Sequence, residues 1–185
     1  FINTSFDGIL GKIGKDYDVV CSAVTINPTR KKAVLFSTPY ITNYQTVVVK
    51  KGSDLKINSL KDLDGKSVGV QKGTTSDQLM SEYKSTKTIN VEVAANDKLL
   101  NCFTQLTNGE IDAVVVDSTV ADGFVAKNPD KYEKAFSDKT EPEEFGIAIG
   151  KNNAKLQKAI NKALEQMDKD GFLKDTADYW FSSQE

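Results

Sequence analysis

Short apolar runs alternate along the chain with longer segments whose apolar residues recur every three or four positions. The first pattern predicts β-strands and the second predicts amphipathic helices. Six runs are predicted to form strands: Tyr17–Val24, Thr46–Lys50, Ser67–Gln71, Ile89–Val93, Ile111–Val116 and Phe145–Ile149. Several of them are apolar throughout, which is typical of strands buried on both faces of a parallel sheet. Strands that alternate with helices indicate an α/β fold.

Local signals mark the ends of the predicted helices, which cover 75–83, 97–108, 153–169 and 172–181. Thr75 and Gln78 fit a capping box at the start of the first helix. Gly109 follows the last apolar position of the second helix, as is usual at a helix end.

A turn, an aspartate and an apolar strand follow one another twice, at 14–20 and at 109–115. Ala23 and Asp117 then lie at the carboxyl ends of the two strands. Open α/β sheets bind ligands at such ends. The repeat favours two lobes, although any helix–turn–strand unit would look similar.

Composition excludes several classes of function. The 185 residues carry 24 lysines and arginines against 26 acidic residues, a net charge of −2, so a nucleic-acid-binding surface is not expected. No run approaches the ~18 apolar residues of a membrane span. The absence of histidine excludes histidine-dependent catalysis and histidine-ligated metals, and neither a metal nor a cofactor is expected. Cys21 and Cys102 lie in apolar surroundings and are interpreted as small buried side chains.

Three sequence features carry candidate chemistry. Asn27-Pro28 predicts a helix start, which puts Arg30 in a first turn where the helix dipole disfavours a cation. An anion would compensate, because the guanidinium grips a carboxylate through two hydrogen bonds; the alternative is a surface arginine in the basic run 30–32. Residues 73–76 form a turn before a capped helix, with hydroxyls and free N–H groups that suit an anion, although a capping box by itself shows only that a helix begins.

Asp117 is the third feature, because it follows the buried strand 113–116. A carboxylate there suits an ammonium group, and the alternative is that Asp117 caps the next helix. Together, the cation at Arg30, the anion-binding turn and the carboxylate complement an α-carboxylate and an α-ammonium. These three features together favour an amino acid as ligand.

Motifs along nearly the whole chain carry a family resemblance. They are Phe6–Ile9, Asp18–Tyr40, Ser59–Leu63 with Gly65-Lys66, Val68–Thr75, Asp112–Asp117, Phe145–Ile149, Asp170–Phe172 and Trp180-Phe181. In order and spacing they resemble the amino-acid-binding proteins of bacterial ABC importers, the polar-amino-acid family of type II periplasmic binding proteins. The resemblance implies two α/β lobes that close on a ligand. Lobe one would hold 1–40 and 145–185, lobe two 45–141, and the hinge would lie near 40–45 and 141–145.

The resemblance also assigns roles to individual residues. Arg30, helped by Thr25, would clamp the α-carboxylate, and Asp117 and the carbonyl of Ala23 would take the α-ammonium. The remaining positions are Thr74 and Thr75 in the anion-binding turn, Phe6 packed on the ligand side chain, and Gln71, where the family varies its residue to suit that side chain.

Family members normally have a strand, a helix and a second strand before the position of Phe6, so lobe one is expected to be incomplete. We expect weak binding by the chain alone, or help from a second copy or a swapped segment. The implied function is capture of a polar or cationic L-amino acid and its delivery to an ABC importer permease, without catalysis. The implied location is the periplasm, or the cell surface as a lipoprotein. Alternatives are a sensory ligand-binding domain and, on the same fold, a dehydratase.

Overall fold

The computed structural model describes residues 1–181, and within them the chain forms two compact units. Unit 1 comprises Phe1–Thr4, Gly8–Asn43 and 142–181, and unit 2 comprises Ser5–Asp7 and Tyr44–Glu141. The long crossings between the units therefore fall after Asn43 and after Glu141. Residues 182–185, which are predicted to belong to lobe one, lie outside the described residues.

Seven strands and six α-helices follow one another along these residues. The strands are β1 (Val19–Thr25), β2 (Leu35–Phe36), β3 (Ile41–Lys50), β4 (Ser67–Gln71), β5 (Glu92–Asn96), β6 (Ala113–Asp117) and β7 (Tyr132–Ile149). The helices are α1 (Pro28–Ala33), α2 (Thr75–Ser85), α3 (Leu99–Asn108), α4 (Ser118–Lys127), α5 (Ala154–Lys169) and α6 (Phe172–Phe181), with short 3₁₀ turns at Ile9–Lys12 and Leu60–Leu63. No helix in this part of the chain has the length and apolar character of a membrane span.

Unit 1 is built around the C-terminal half of β7, which pairs antiparallel with both β1 and β2. Strand β1 contains a bulge, because Val20 lies opposite Ala148 whereas Val24 lies opposite Gly146. Four steps along β1 are thus matched by two along β7, and Ala23 within the bulge has a φ of 51°. Bulges re-aim the side chains beside them and are frequent next to binding sites.

The last helix of unit 1 is more exposed than its sequence pattern suggests. Helix α6 contains no buried residue, and the side chains of Tyr179 and Trp180 are 74% and 65% exposed. The prediction that Cys21 is buried is wrong, because Cys21 lies at the β1 bulge and is exposed. Cys102 is buried, as predicted.

In unit 2 the strands follow the order β7-β3-β6-β4-β5. Strand β4 runs parallel to both β5 and β6, and β3 runs antiparallel to β6. Apolar residues of the central strands alternate between two clusters: Val47 and Val49 belong to one, and Val48 belongs to the other. Because both faces of the sheet are covered, the central strands are apolar throughout, as the sequence pattern predicts.

Of the six predicted strands, β4 alone has its predicted bounds. Strands β1 and β6 are shifted by one or two residues, and β3 begins at Ile41 instead of Thr46. Strand β7 covers Tyr132–Ile149 instead of Phe145–Ile149, because its first part is polar and lacks the apolar pattern of a buried strand. Strand β5 begins at Glu92 instead of Ile89. Ile89 and Val91 are nevertheless buried in the core just before the strand begins. A run of apolar residues therefore predicts burial here but not the first residue of the strand.

Candidate functional site

The predicted helix start after β1 is present in unit 1. The side-chain oxygen of Asn27 accepts a hydrogen bond of 2.8 Å from the backbone N–H of Arg30, and Pro28 is the first residue of α1. This N-cap fixes the start of α1 and places Arg30 in the first turn, shortly after the carboxyl end of β1.

Arg30 is buried, with a relative exposure of 8%, so its interpretation as a surface arginine is wrong. Its Nη1 donates a hydrogen bond of 3.0 Å to the backbone carbonyl of Thr25. A buried cation in the first turn of a helix lies at the end where the dipole favours negative charge. The local environment therefore favours an anion beside this guanidinium.

Thr25 brings a further carboxylate into the same region of unit 1. Its hydroxyl donates a hydrogen bond of 2.9 Å to Oε2 of Glu143 on β7. The sequence does not point to Glu143, because the contact joins residues 118 positions apart. Only the pairing of Thr25 with Phe145 across β1 and β7 brings the two side chains together.

The predicted turn before α2 lies in unit 2, but its cap is one residue earlier than predicted. The N-cap is Thr74, whose hydroxyl accepts from the backbone N–H of Asp77 at 3.2 Å. Asp77 in return accepts from the backbone N–H of Gly73 at 3.0 Å. The predicted capping box of Thr75 with Gln78 is therefore wrong, because Thr75 is already the first residue inside the helix.

This shift by one residue leaves the hydroxyl of Thr75 outside the cap. Its oxygen accepts a hydrogen bond of 3.2 Å from Nε2 of Gln45. The same nitrogen donates to Oδ1 of Asp117 at 3.3 Å. Asp117 occupies the N-cap position of α4 but makes no capping hydrogen bond with its side chain, so the alternative role as a helix cap does not describe it.

The other two predicted positions also fall in unit 2. Gln71 ends β4, and its Nε2 donates to the backbone carbonyl of Asp97 at 3.2 Å. Phe6 is half-buried within the short segment Ser5–Asp7. A Cβ built on Gly73 would lie 3.2 Å from the Cα of Asp7, so the absence of a side chain at Gly73 allows this segment to pass close to the turn.

The structure thus groups the predicted residues by unit. Unit 1 holds Ala23, Thr25 and Arg30 around the carboxyl end of β1, and unit 2 holds the others: Phe6, Gln71, Thr74, Thr75 and Asp117. No local sequence signal marks Glu143 and Gln45, because their contacts depend on strand pairing. The described residues contain no cluster of acidic or cysteine side chains able to hold a metal ion.

Comparison with known proteins decides the family. The sequence pattern of the bacterial extracellular solute-binding proteins, family 3, matches residues 1–183. The chain belongs to this family. Its members are binding proteins of transport systems rather than enzymes.

Individual relatives give the same result. The L-cystine-binding protein TcyJ of Escherichia coli is 36% identical over 97% of this chain, and the chain spans 66% of that protein's length. ABC transporter arginine-binding protein 1 of Escherichia coli is 33% identical over 98% of this chain and is covered over 73% of its own length. The solved structure of an ancestral arginine-binding protein bound to arginine is 42% identical, with a TM-score of 0.86 over 98% of this chain and 80% of that one. The fold of family 3 members, that of the type II periplasmic binding proteins, is therefore the fold of this chain.

Proposed function

We propose that this chain binds a polar or cationic L-amino acid and delivers it to the permease of an ABC importer. The observation that carries the proposal is the buried guanidinium of Arg30 in the first turn of α1. Relatives across the family are named as binding proteins for cystine, arginine, histidine or glutamine. All of these ligands share the α-carboxylate and α-ammonium groups that the sequence features complement.

Each end of the amino acid has a proposed partner. Arg30 binds the α-carboxylate through charge-assisted hydrogen bonds, with the hydroxyls of Thr25 and Thr75 beside it. Asp117 and the carbonyl of Ala23 bind the α-ammonium. The side chain of the amino acid packs on Phe6 and is read at Gln71, with Thr74 completing the turn before α2.

Two further properties belong to the same proposal. We propose that the segments near 40–45 and 141–145 act as a hinge, and that binding stabilises a closed state which the permease recognises. We also propose that the protein acts in the periplasm or on the cell surface as a lipoprotein. The family's description as extracellular supports a location outside the cytoplasm.

The first test is a thermal-shift panel of the common amino acids, followed by calorimetry on each amino acid that raises Tm. A ligand at 100 times its Kd stabilises the folded state by about 2.7 kcal/mol. A rise in Tm with at least one polar or cationic amino acid is the expected result. A panel without any rise in Tm would contradict the proposal.

The second test removes the charges. We expect Arg30→Met and Asp117→Asn each to weaken binding at least about thirtyfold, because a buried charge of the ligand loses its partner. Lys31→Met, which removes an exposed charge from the same helix, and Asp130→Asn, at an exposed aspartate, are the matched controls. Equal affinity of the site variants and their controls would show that the assignment is wrong.

A further inference from the structure

Gln45 is a buried amide on β3, placed directly opposite Asp117. The side chain is 5% exposed, and the antiparallel pairing of β3 with β6 makes Gln45 and Asp117 partners in register. Residues that face each other across such a pair project to the same side of the sheet, with Cβ atoms about 5 Å apart. The backbone of unit 2 therefore brings the amide to the carboxylate.

The amide of Gln45 bonds to three side chains on two elements. Nε2 donates to Oδ1 of Asp117 at 3.3 Å and to Oγ1 of Thr75 at 3.2 Å, and Oε1 accepts from Oγ of Ser76 at 2.6 Å. The orientation of the amide follows from chemistry, because an ionised carboxylate only accepts hydrogen bonds, so the nitrogen must face Asp117. Ser76 is itself 2% exposed, so its bond to the amide is shielded from water.

We propose that Gln45 is a positioning residue that holds the Asp117 carboxylate and the Thr75 hydroxyl in place for the amino acid. The ligand part of this inference rests on the proposed function. Ordering both groups before the ligand arrives lowers the conformational entropy lost on binding.

A neutral amide is well suited to this task. A lysine or arginine in the place of Gln45 would also fix Asp117, but it would neutralise the carboxylate and compete with the ligand's ammonium group. The amide donates a hydrogen bond to the carboxylate without neutralising its negative charge. Strand β3 adds a second tie next to Asp117, since the backbone N–H of Tyr44 donates to the hydroxyl of Ser118 at 3.2 Å.

The test compares Gln45→Met with Thr46→Val in the 185-residue chain. Methionine keeps the length of the side chain but cannot donate, so we expect binding of L-arginine, measured by calorimetry, to weaken at least about tenfold. Thr46 is the neighbouring buried residue, and its hydroxyl contacts that of Ser137 at 2.8 Å. Thr46→Val therefore removes a partly buried hydrogen bond that does not involve Asp117, and its affinity should stay within about twofold of the parent chain.

A second variant covers the case in which Gln45→Met fails to fold. Ser76→Ala removes the bond that orients the amide, and we expect about threefold weaker binding. Parent-like affinity in Gln45→Met and in Ser76→Ala would overturn the inference.

A ligand-free measurement separates this inference from the proposed function. In the parent chain, the side-chain amide protons of Gln45 should exchange slowly with water by NMR. Asp117→Ala should shift these resonances and speed up the exchange, whereas Asp130→Ala should not. Unchanged resonances in Asp117→Ala would overturn the inference. A parent chain that binds no polar or cationic amino acid of the panel would overturn the proposed function, and the NMR result would still decide whether Gln45 holds Asp117.

Discussion

The two cysteines occur in similar apolar sequences and have opposite environments. Cys102 lies on α3 against β4, and its thiol contacts the backbone carbonyl of Val70 at 3.3 Å. Cys21 lies at the β1 bulge and is exposed. Nearby protein atoms still raise the pKa of both thiols by desolvation. The bulge therefore changes the accessibility of Cys21 without making its thiol more acidic.

We expect iodoacetamide to modify Cys21 in the native chain and Cys102 only after unfolding. Because the raised pKa of Cys21 reduces its thiolate fraction near pH 8, alkylation should be slower than that of a free cysteine and should speed up as pH rises. Mass spectrometry of the labelled chain measures both rates. Cys21→Ser should leave the native protein unlabelled, and rapid native labelling of Cys102 would contradict the structure.

Local signals predicted one part of the candidate site and missed another. Asn27 and Pro28 mark the start of α1 by local sequence alone, so the position of Arg30 in its first turn could be predicted. Gln45 could not, because its role depends on the register of β3 against β6, which pairs residues 72 positions apart. The cap of α2 was misplaced because Thr74 and Thr75 are both competent caps, and the bond between Asp77 and Gly73 favours the first.

At the scale of elements, α3 packs on β4 where a glycine gives it room. A Cβ on Gly69 would lie 2.6 Å from Cδ1 of Ile111 and 3.1 Å from Cβ of Cys102. The pair of elements therefore requires a residue without a side chain at this point of the strand. The sequence predicted the strand and the helix but not how closely they approach.

We expect Gly69→Ala to lower the free energy of unfolding by about 1–3 kcal/mol, because the added methyl group overpacks this contact. Gly123→Ala is the matched control. A Cβ there meets no atom within 4 Å, and Gly123 lies inside α4, so alanine should stabilise the chain by up to about 1 kcal/mol. Urea unfolding measures both variants, and equal stabilities would contradict the packing described for α3 and β4.

The start of β7 is tied to the end of β3 by Glu133. Its carboxylate accepts from Nζ of Lys51 at 3.0 Å and from the backbone N–H of Gly52 at 3.1 Å. These hydrogen bonds lower the pKa of Glu133 below its usual value. The ionised form is thus favoured in the folded state, so its contribution to stability is present above the unfolded pKa of about 4.3 and is lost as pH falls through the folded pKa.

The parent chain should lose Tm between pH 5 and pH 3 as Glu133 becomes protonated, and we expect Glu133→Gln to lose less. The difference should be about 1 °C or less, as is typical of exposed ion pairs, and melting curves at a series of pH values measure it. Glu82→Gln is the control, since it removes an exposed carboxylate on α2 without touching the junction of β3 and β7. If Glu133→Gln instead lost Tm more steeply in acid than the parent chain, Glu133 would not stabilise the folded state through its ionised form.

At the scale of the whole molecule, self-association stays a prediction. Strand β1 stands at one end of the strand order, and α6 exposes Phe172, Tyr179 and Trp180. Edge strands and exposed aromatic side chains are the surfaces through which chains commonly associate. Sedimentation velocity over a range of concentrations should show a mass above 20.3 kDa, and the double variant Tyr179→Ser, Trp180→Ser should shift it towards the monomer. A monomeric parent chain at every concentration would contradict the prediction.

The exposure of Trp180 also has an optical consequence. It is the only tryptophan of the chain, so all of the tryptophan fluorescence comes from the surface of α6. In the dissociated monomer its emission should lie near the wavelength of indole in water, and denaturation of the monomer should shift that wavelength little. Circular dichroism or a hydrophobic dye is then the better reporter of melting for the amino-acid panel, and tryptophan emission becomes a reporter of whatever covers α6.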